Sequence, residues 1–166
     1  MSTTSTRYGS ATVTLPSDRE ILITRKFDAP AALVFKAWTT PELVKRWWGC
    51  ETTQWLVCDI NLRVGGKWRY LTREAGGYEV GFNGEYQEIG APHRLVSTEV
   101  FEMFPDAGSL NTWTLEEKDG VTTMTVLVLH QEKAHRDAHI ASGMEQGLQI
   151  ALNRFEDVVG ELARAA

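Results

Sequence analysis

Five titratable side chains could provide acid–base chemistry if the fold brings them into one pocket: Glu85, Glu88, Glu99, Glu102 and His130. Proton transfer by a side chain requires a second group within hydrogen-bonding distance, which orients it or exchanges the proton. None of the five has a sequence neighbour that fixes such a geometry. The sequence therefore identifies no catalytic residue and leaves open whether the protein is an enzyme.

A second candidate site is a pair of histidines one helical turn apart, His135 and His139, with His130 and Asp137 nearby in sequence. This spacing can bring two imidazoles to one zinc ion, but a zinc site needs at least a third protein ligand. The surrounding segment QEKAHRDAH is hydrophilic throughout, which favours a polar start to the last helix. We expect no metal site and, because no Gly-rich phosphate loop is present, no cofactor.

Large apolar side chains recur at alternate positions of the strand-like segments. Trp68 and Tyr70, for example, alternate with Lys67 and Arg69, which predicts aromatic rings on the inner face of a sheet and cations on the outer face. Such rings, together with the apolar stripe of the last helix, can line a mostly apolar pocket. Each of these residues could instead be ordinary core. The predicted lining is Trp55, Trp68, Tyr70, Tyr78, Phe82, Val100, Trp113, Met124, Met144, Leu148 and Phe155.

The chain carries signals for the strands and helices that would position this lining. Residues 20–27 alternate in the manner of a first strand. Asp28 with Pro30, and then Thr40 with Pro41, mark the starts of two short helices, because Asp and Thr cap helices and Pro suits the first helical position. Between residues 52 and 131, Gly and Pro residues separate about six further strand-like segments.

The last segment has the periodicity of a long surface helix. Its apolar residues form one stripe between Ile140 and Leu162, and charged residues occupy the opposite face. Gly143 and Gly147 near its start each cost about 1 kcal/mol of helix stability relative to Ala. We interpret them as positions of close backbone packing, with space left for a ligand as the alternative.

Several motifs occur in a fixed order along the chain: RKFDAPAALVFKAWTTPELVKRWW at residues 25–48, RVGGKWRY at 63–70, GEY at 84–86, PHRLV at 92–96 and SGMEQG at 142–147. In this order they resemble the SRPBCC superfamily, in the branch named after activators of the heat-shock-protein-90 ATPase. The resemblance covers about residues 18–163. The name of the branch comes from a co-chaperone domain and does not by itself transfer a chaperone role to this chain.

The resemblance implies an α+β, START-like (birch-pollen-allergen-like) helix-grip fold. In this fold a curved antiparallel sheet of about seven strands surrounds a long C-terminal helix, with two short helices after the first strand, in the order β-α-α-β6-α. Members often enclose a hydrophobic cavity, and a minority are enzymes. We expect one such domain over residues 18–166, preceded by a flexible Ser- and Thr-rich segment over residues 1–17.

Composition opposes several other classes of function. A formal net charge of −5 and a pI near 5.4 oppose nucleic-acid binding, which needs clustered Lys and Arg. No segment has the roughly 18 apolar residues of a membrane span. The two cysteines, Cys50 and Cys58, are too few for a disulfide framework, and the N-terminal residues show neither the basic nor the apolar region of a secretory leader. These features predict reduced thiols and a cytoplasmic protein.

The leading hypothesis is therefore a cytoplasmic protein that binds a small hydrophobic or aromatic molecule in an internal cavity. One alternative is a cyclase, dehydratase or hydrolase that acts on a hydrophobic substrate. Another is an interaction module, associated with a chaperone or forming a homodimer, that uses an exposed Trp47–Trp48 edge. Burial of one of these two tryptophans against the long helix is the simpler interpretation.

Overall fold

The computed structural model describes residues 10–166 and has the α+β helix-grip fold that the sequence predicts. Eight antiparallel strands form one curved sheet in the order β1-β2-β8-β7-β6-β5-β4-β3. The strands are β1 (Thr12–Thr14), β2 (Glu20–Phe27), β3 (Gln54–Ile60), β4 (Lys67–Arg73), β5 (Glu79–Gly90), β6 (Arg94–Phe101), β7 (Ser109–Lys118) and β8 (Val121–His130). The helices are α1 (Ala31–Thr39), α2 (Pro41–Trp47), α3 (Lys133–Ala141) and α4 (Met144–Ala165). Within the described residues, no helix is long and apolar enough to cross a membrane.

The sheet includes a strand that the sequence analysis does not predict. β1 pairs with β2, so that Val13 lies opposite Ile23. The side chain of Gln149 in α4 also holds the backbone of Ala11: Ala11 N donates to Gln149 Oε1 at 2.9 Å, and Gln149 Nε2 donates to Ala11 O at 2.8 Å. Residues 12–14 therefore belong to the sheet, although they lie in the segment 1–17 that was expected to be flexible. Residues 1–9 of that segment lie outside the described residues.

The two short helices follow β2 as predicted, but α1 begins differently. Pro30 is its N-cap residue rather than its first helical residue, and no side-chain cap bond forms there. Instead Glu117 in β7 supplies the cap, since its Oε1 accepts a hydrogen bond from Ala31 N at 2.7 Å. A carboxylate is favourable at this position because the helix N-terminus carries a partial positive charge. α2 starts at Pro41 after Thr40, as predicted.

The C-terminal half of α4 is packed into the core around Phe155, whose side chain is fully buried. Leu152, Val158 and Val159 are buried on the same face. The helix residues nearer its start, Met144 and Leu148, are only half-buried. α4 is therefore attached firmly at one end. The ring of Phe155 lies edge-on to three other rings, with centroids 5.0 Å from Phe27, 5.6 Å from Trp38 and 5.0 Å from Trp47.

A buried ion pair also joins the sheet to this half of α4. Arg25 of β2 points inward with no exposed side-chain surface, and its Nη2 donates to Glu156 Oε2. Burial lowers the pKa of the Arg25 guanidinium, and the adjacent Glu156 carboxylate acts in the opposite direction. A guanidinium buried without a counter-charge is strongly destabilising. Arg25 therefore fixes the requirement for an acidic residue at position 156.

The interpretation of Gly143 and Gly147 as positions of close packing is wrong. A Cβ atom at either position would have no other atom within 4 Å. Gly143 instead forms the turn between α3 and α4 with a φ of 83°, in the left-handed region that favours glycine. Gly147 lies within α4 and faces open space.

These two glycines allow a matched stability test. We expect Gly147→Ala to raise the free energy of unfolding by about 1 kcal/mol, because alanine is the better helix former and its methyl group meets no obstacle. Gly143→Ala should lower it by about 1 kcal/mol, because the backbone there has positive φ. Urea unfolding of both variants measures the difference. Equal effects of the two substitutions would contradict the assignment of Gly143 to the turn.

The buried ion pair makes a second stability prediction. Glu156→Gln should lower the free energy of unfolding by about 3 kcal/mol, because it leaves the buried charge of Arg25 without its ion-pair partner. Glu161→Gln is the control, since Glu161 lies on α4 like Glu156 and pairs with Arg46 of α2, but both side chains of that pair are about half exposed. We expect little change in that variant. Similar losses in both variants, measured by urea unfolding, would show that burial of Arg25 is not the cause.

Candidate ligand-binding cavity

A cavity of about 370 Å³ lies between the inner face of the sheet and the N-terminal half of α4. Small-molecule pockets in proteins typically have volumes of about 300–1,000 Å³. Gly147 lines this cavity and is exposed, so the cavity reaches the surface beside α4. The lining residues are Ile23, Trp38, Trp47, Trp48, Gly49, Trp68, Tyr70, Phe82, Tyr86, Leu95, Ser97, Glu99, Asn111, Trp113, Val126, Val128, His139, Met144, Gly147, Leu148, Ala151 and Leu152.

The adjacent tryptophans at the end of α2 have different roles. Trp47 is buried under α4, and its Nε1 donates to Ala37 O at 2.9 Å. Trp48 is half-buried and turns toward the sheet, where its ring centroid lies 5.0 Å from Tyr70 and 5.5 Å from Phe82. Burial of one tryptophan against the long helix is thus confirmed. The pair does not form the exposed edge that an interaction module would use.

Trp68 depends on a glycine in the neighbouring strand. A Cβ atom at Gly84 of β5 would lie 2.5 Å from Trp68 Nε1 and 1.8 Å from Thr98 O, so only glycine fits there. The indole N–H groups of Trp68 and Trp113 are buried and have no hydrogen-bond acceptor among residues 10–166. Such a donor costs about 1–3 kcal/mol relative to a bonded one. Both residues line the cavity, so the cavity wall contains two buried hydrogen-bond donors without an acceptor in the described part of the chain.

One carboxylate belongs to the cavity wall, that of Glu99 in β6. Its Oε2 accepts a hydrogen bond from Asn111 Nδ2 at 2.6 Å, and Asn111 Oδ1 in turn accepts one from Ser109 Oγ at 2.9 Å. Burial raises the pKa of Glu99, and the bond from Asn111 opposes this rise. Burial also raises the pKa of Tyr70 and of Tyr86, so both phenols in the wall are neutral.

Of the five titratable residues singled out in the sequence, only Glu99 lines the cavity. Glu88 pairs with Arg94 at 2.9 Å with both side chains exposed. Glu102 accepts hydrogen bonds from Arg69 and Asn83 away from the cavity. His130 reaches the wall only through His139, and Glu85 is not among the lining residues. The five residues do not converge into an acid–base pair.

The histidines near α3 form a hydrogen-bonded pair of neutral rings. His130 Nε2 lies 3.0 Å from His139 Nδ1, and His139 lines the cavity. Burial, with the charges of His139, His135 and Arg136 acting in the same direction, lowers the pKa of His130 to about 4. Burial also lowers the pKa of His139. Both rings are therefore uncharged at neutral pH.

The i, i+4 pair of histidines does not form a metal site. His135 lies 3.5 Å from Glu132 Oε1, whereas His139 bonds to His130. Within residues 10–166, no group of three or more His, Cys, Asp or Glu side chains could hold a metal ion. Cys50 and Cys58 are unpaired and half-buried.

The structure places six residues of the predicted lining around the cavity: Trp68, Tyr70, Phe82, Trp113, Met144 and Leu148. The other five lie elsewhere. Met124 and Phe155 are fully buried core, and Trp55 packs against Tyr70, with centroids 5.7 Å apart, in the edge strand β3. Tyr78 is 62% exposed in the turn between β4 and β5. Val100 pairs with Asn83 on the outer face.

The misplacement of Val100 is an error of strand parity in β6. Val100 was predicted to face inward as part of the apolar lining. In the structure Leu95, Ser97 and Glu99 line the cavity instead. A shift of one residue exchanges the two faces of a strand. Because of this error, Ser97 and Glu99 were not predicted as polar lining residues. Trp38, Trp48 and Asn111 were missed as lining residues as well.

Fold and cavity together define a member of the SRPBCC superfamily, as the sequence motifs predict. The chain belongs to the family described as Activator of Hsp90 ATPase homolog 1-like protein, which matches residues 28–160. No curated protein matches the chain.

Solved structures from several bacteria have the same fold. A Rhodobacter sphaeroides protein is 22% identical, with a TM-score of 0.86 over 92% of this chain and 99% of that chain. A Mycobacterium smegmatis protein is 24% identical, with a TM-score of 0.79 over 89% of this chain and 96% of that chain. A Staphylococcus epidermidis protein is 26% identical, with a TM-score of 0.76 over 90% of this chain and 94% of that chain.

The contrast between Glu99 and Glu102 gives a titration test. In a carboxyl-carbon NMR titration we expect the pKa of Glu99 to lie above the ordinary value of 4.5, because the side chain is buried. The pKa of Glu102 should lie below it, because Arg69 and Asn83 donate to the ionised carboxylate. Asn111→Leu should raise the pKa of Glu99 further and leave that of Glu102 unchanged. A Glu99 pKa at or below that of Glu102 would disprove this description of the wall.

Proposed function

We propose that this protein is a cytoplasmic binding protein whose cavity holds a small hydrophobic or aromatic molecule. The observation that supports this most directly is the space of about 370 Å³ beneath α4. Protein interiors are close-packed, and unfilled apolar space in a core costs stability. A space of this size that reaches the surface is typical of a ligand pocket.

The composition of the wall supports an apolar ligand. Eight aromatic residues and several aliphatic ones surround a small polar group made of Ser97, Glu99, Asn111 and His139. Transfer of apolar ligand surface from water into such a site is favourable by about 25 cal/mol per Å². The few polar groups are then available to orient the ligand rather than to provide most of its affinity.

Binding is better supported than catalysis. An enzyme acting by acid–base chemistry needs a second titratable group that can exchange a proton with the substrate or with the carboxyl group. The wall offers Glu99, but its hydrogen-bond partner is the amide of Asn111, which does not titrate. The imidazole of His139, elsewhere in the wall, is already bonded to His130.

Native mass spectrometry of the freshly purified protein tests the proposal directly. A stoichiometric adduct, released on denaturation and identified by its mass, would give the chemical class of the ligand. Binding of a neutral aromatic ligand, naphthylethanol, can be measured by calorimetry on the same preparation.

A pair of tryptophan substitutions on α4 tests where such a ligand binds. Leu148→Trp should reduce the affinity for naphthylethanol at least about tenfold, because the larger side chain fills space in the cavity. Ile150→Trp is the control, since Ile150 lies two residues along the same helix and is 43% exposed. It should leave the affinity unchanged. Comparable losses in both variants would place the ligand elsewhere on the protein.

A further inference from the structure

The ionisable groups that the structure describes in the cavity wall include none that is cationic at neutral pH. The lining residues include a single carboxylate, Glu99, and neither lysine nor arginine. The other titratable groups are Tyr70 and Tyr86, which are neutral phenols, and His139. Burial lowers the pKa of His139, so this ring is also uncharged at neutral pH. A ligand therefore meets no cationic group among the described lining residues, and the one acidic group of the wall is the carboxyl group of Glu99.

The carboxylate of Glu99 is only partly used by the protein. Asn111 Nδ2 donates to Oε2, and the bond from Ser109 to Asn111 Oδ1 orients the amide so that its N–H faces Glu99. No other hydrogen bond and no ion pair reaches the Glu99 carboxylate from any part of the chain that the structure describes. Glu99 Oε1 has no hydrogen bond to residues 10–166, yet it is not a fully buried atom, so part of its surface is accessible. A carboxylate accepts several hydrogen bonds, so Oε1 is free to accept one from a ligand.

We propose that the cavity selects hydrophobic amines, whose ring or chain packs among the aromatic side chains while the protonated amine donates to Glu99 Oε1. This inference rests on the proposed function, because it assumes that the cavity binds an apolar molecule. It adds the charge of the ligand and the residue that recognises it.

Three physical effects favour an amine over other hydrophobic ligands. Hydrogen bonds between ionised partners are about twice as strong as neutral ones, and in this site the cost of removing Glu99 from bulk water is met by folding rather than by binding. Aromatic rings such as those of Trp48, Tyr70 and Trp113 attract a cation within about 6 Å of their faces. A carboxylate ligand, by contrast, would be repelled by Glu99 and would find no cationic side chain in the wall.

A series of three ligands with the same ring tests the inference by calorimetry at neutral pH: naphthylethylamine, which is cationic, naphthylethanol, which is neutral, and naphthylacetate, which is anionic. We expect the amine to bind about tenfold more tightly than the alcohol, and the acetate to bind most weakly. Glu99→Gln should abolish the preference for the amine and leave the affinity for the alcohol within about twofold. Glu116→Gln is the matched control, since Glu116 is exposed on β7, and it should preserve the preference.

A second measurement on the unmodified protein does not depend on the folding of any variant. In a carboxyl-carbon NMR titration, bound naphthylethylamine should lower the pKa of Glu99, because the ammonium stabilises the ionised carboxylate. Bound naphthylethanol should not produce this shift. Glu102, which lies away from the cavity, is the internal control.

The possible results separate this inference from the proposed function. Equal affinities for the amine and the alcohol, or tighter binding of the acetate, would overturn the selection for amines but leave a hydrophobic cavity. An unchanged Glu99 pKa in the amine complex would also overturn it. If none of the three ligands bound, the proposed function itself would fail.

Discussion

The contact of Phe155 with rings from β2, α1 and α2 is the interaction on which the rest of the structure depends. It fixes the C-terminal half of α4 to Phe27, Trp38 and Trp47. Once that end is fixed, the straightness of a helix and the curvature of the sheet hold the other end apart from the strands. The cavity is thus a result of geometry, because a straight helix packed against the sheet at one end cannot follow the curvature of the sheet along its whole length.

The same division of α4 separates two charged side chains, Arg25 and Glu99. Arg25 packs beside the C-terminal half of α4, where Glu156 supplies its counter-charge and its side chain has no exposed surface. Glu99 lies in the open half, where an uncharged amide is its only protein partner among residues 10–166. In a medium of low dielectric constant, a charge without a counter-charge is a strong determinant of what can bind beside it. The chemical character of the cavity therefore depends on Glu99, a carboxyl group that has no cationic partner among residues 10–166.

Much of this architecture could be predicted from local sequence signals, because strand alternation, the Thr40–Pro41 helix start and the stripe on α4 depend on near neighbours. The cap of α1 could not, since Glu117 lies 86 residues away from Ala31. Alternation in β8 and the helical stripe of α4 also predicted that Met124 and Phe155 face inward, but whether an inward residue meets core or cavity depends on where α4 lies. In β6 the prediction of which residues face inward was itself wrong. The polar residues Ser97 and Glu99 face inward, whereas the sequence pattern favoured Val100.

The bond between Ala11 and Gln149 has a consequence for spectroscopy. It attaches the start of the described chain to α4 between Leu148 and Ala151, beside the cavity. Ala166 follows at the opposite end of the same helix, about 25 Å away at 1.5 Å per residue. A fluorophore near Ala11 would therefore sense occupation of the cavity, while one near Ala166 would serve as an internal reference. The ratio of the two fluorescence signals would then report occupation of the cavity.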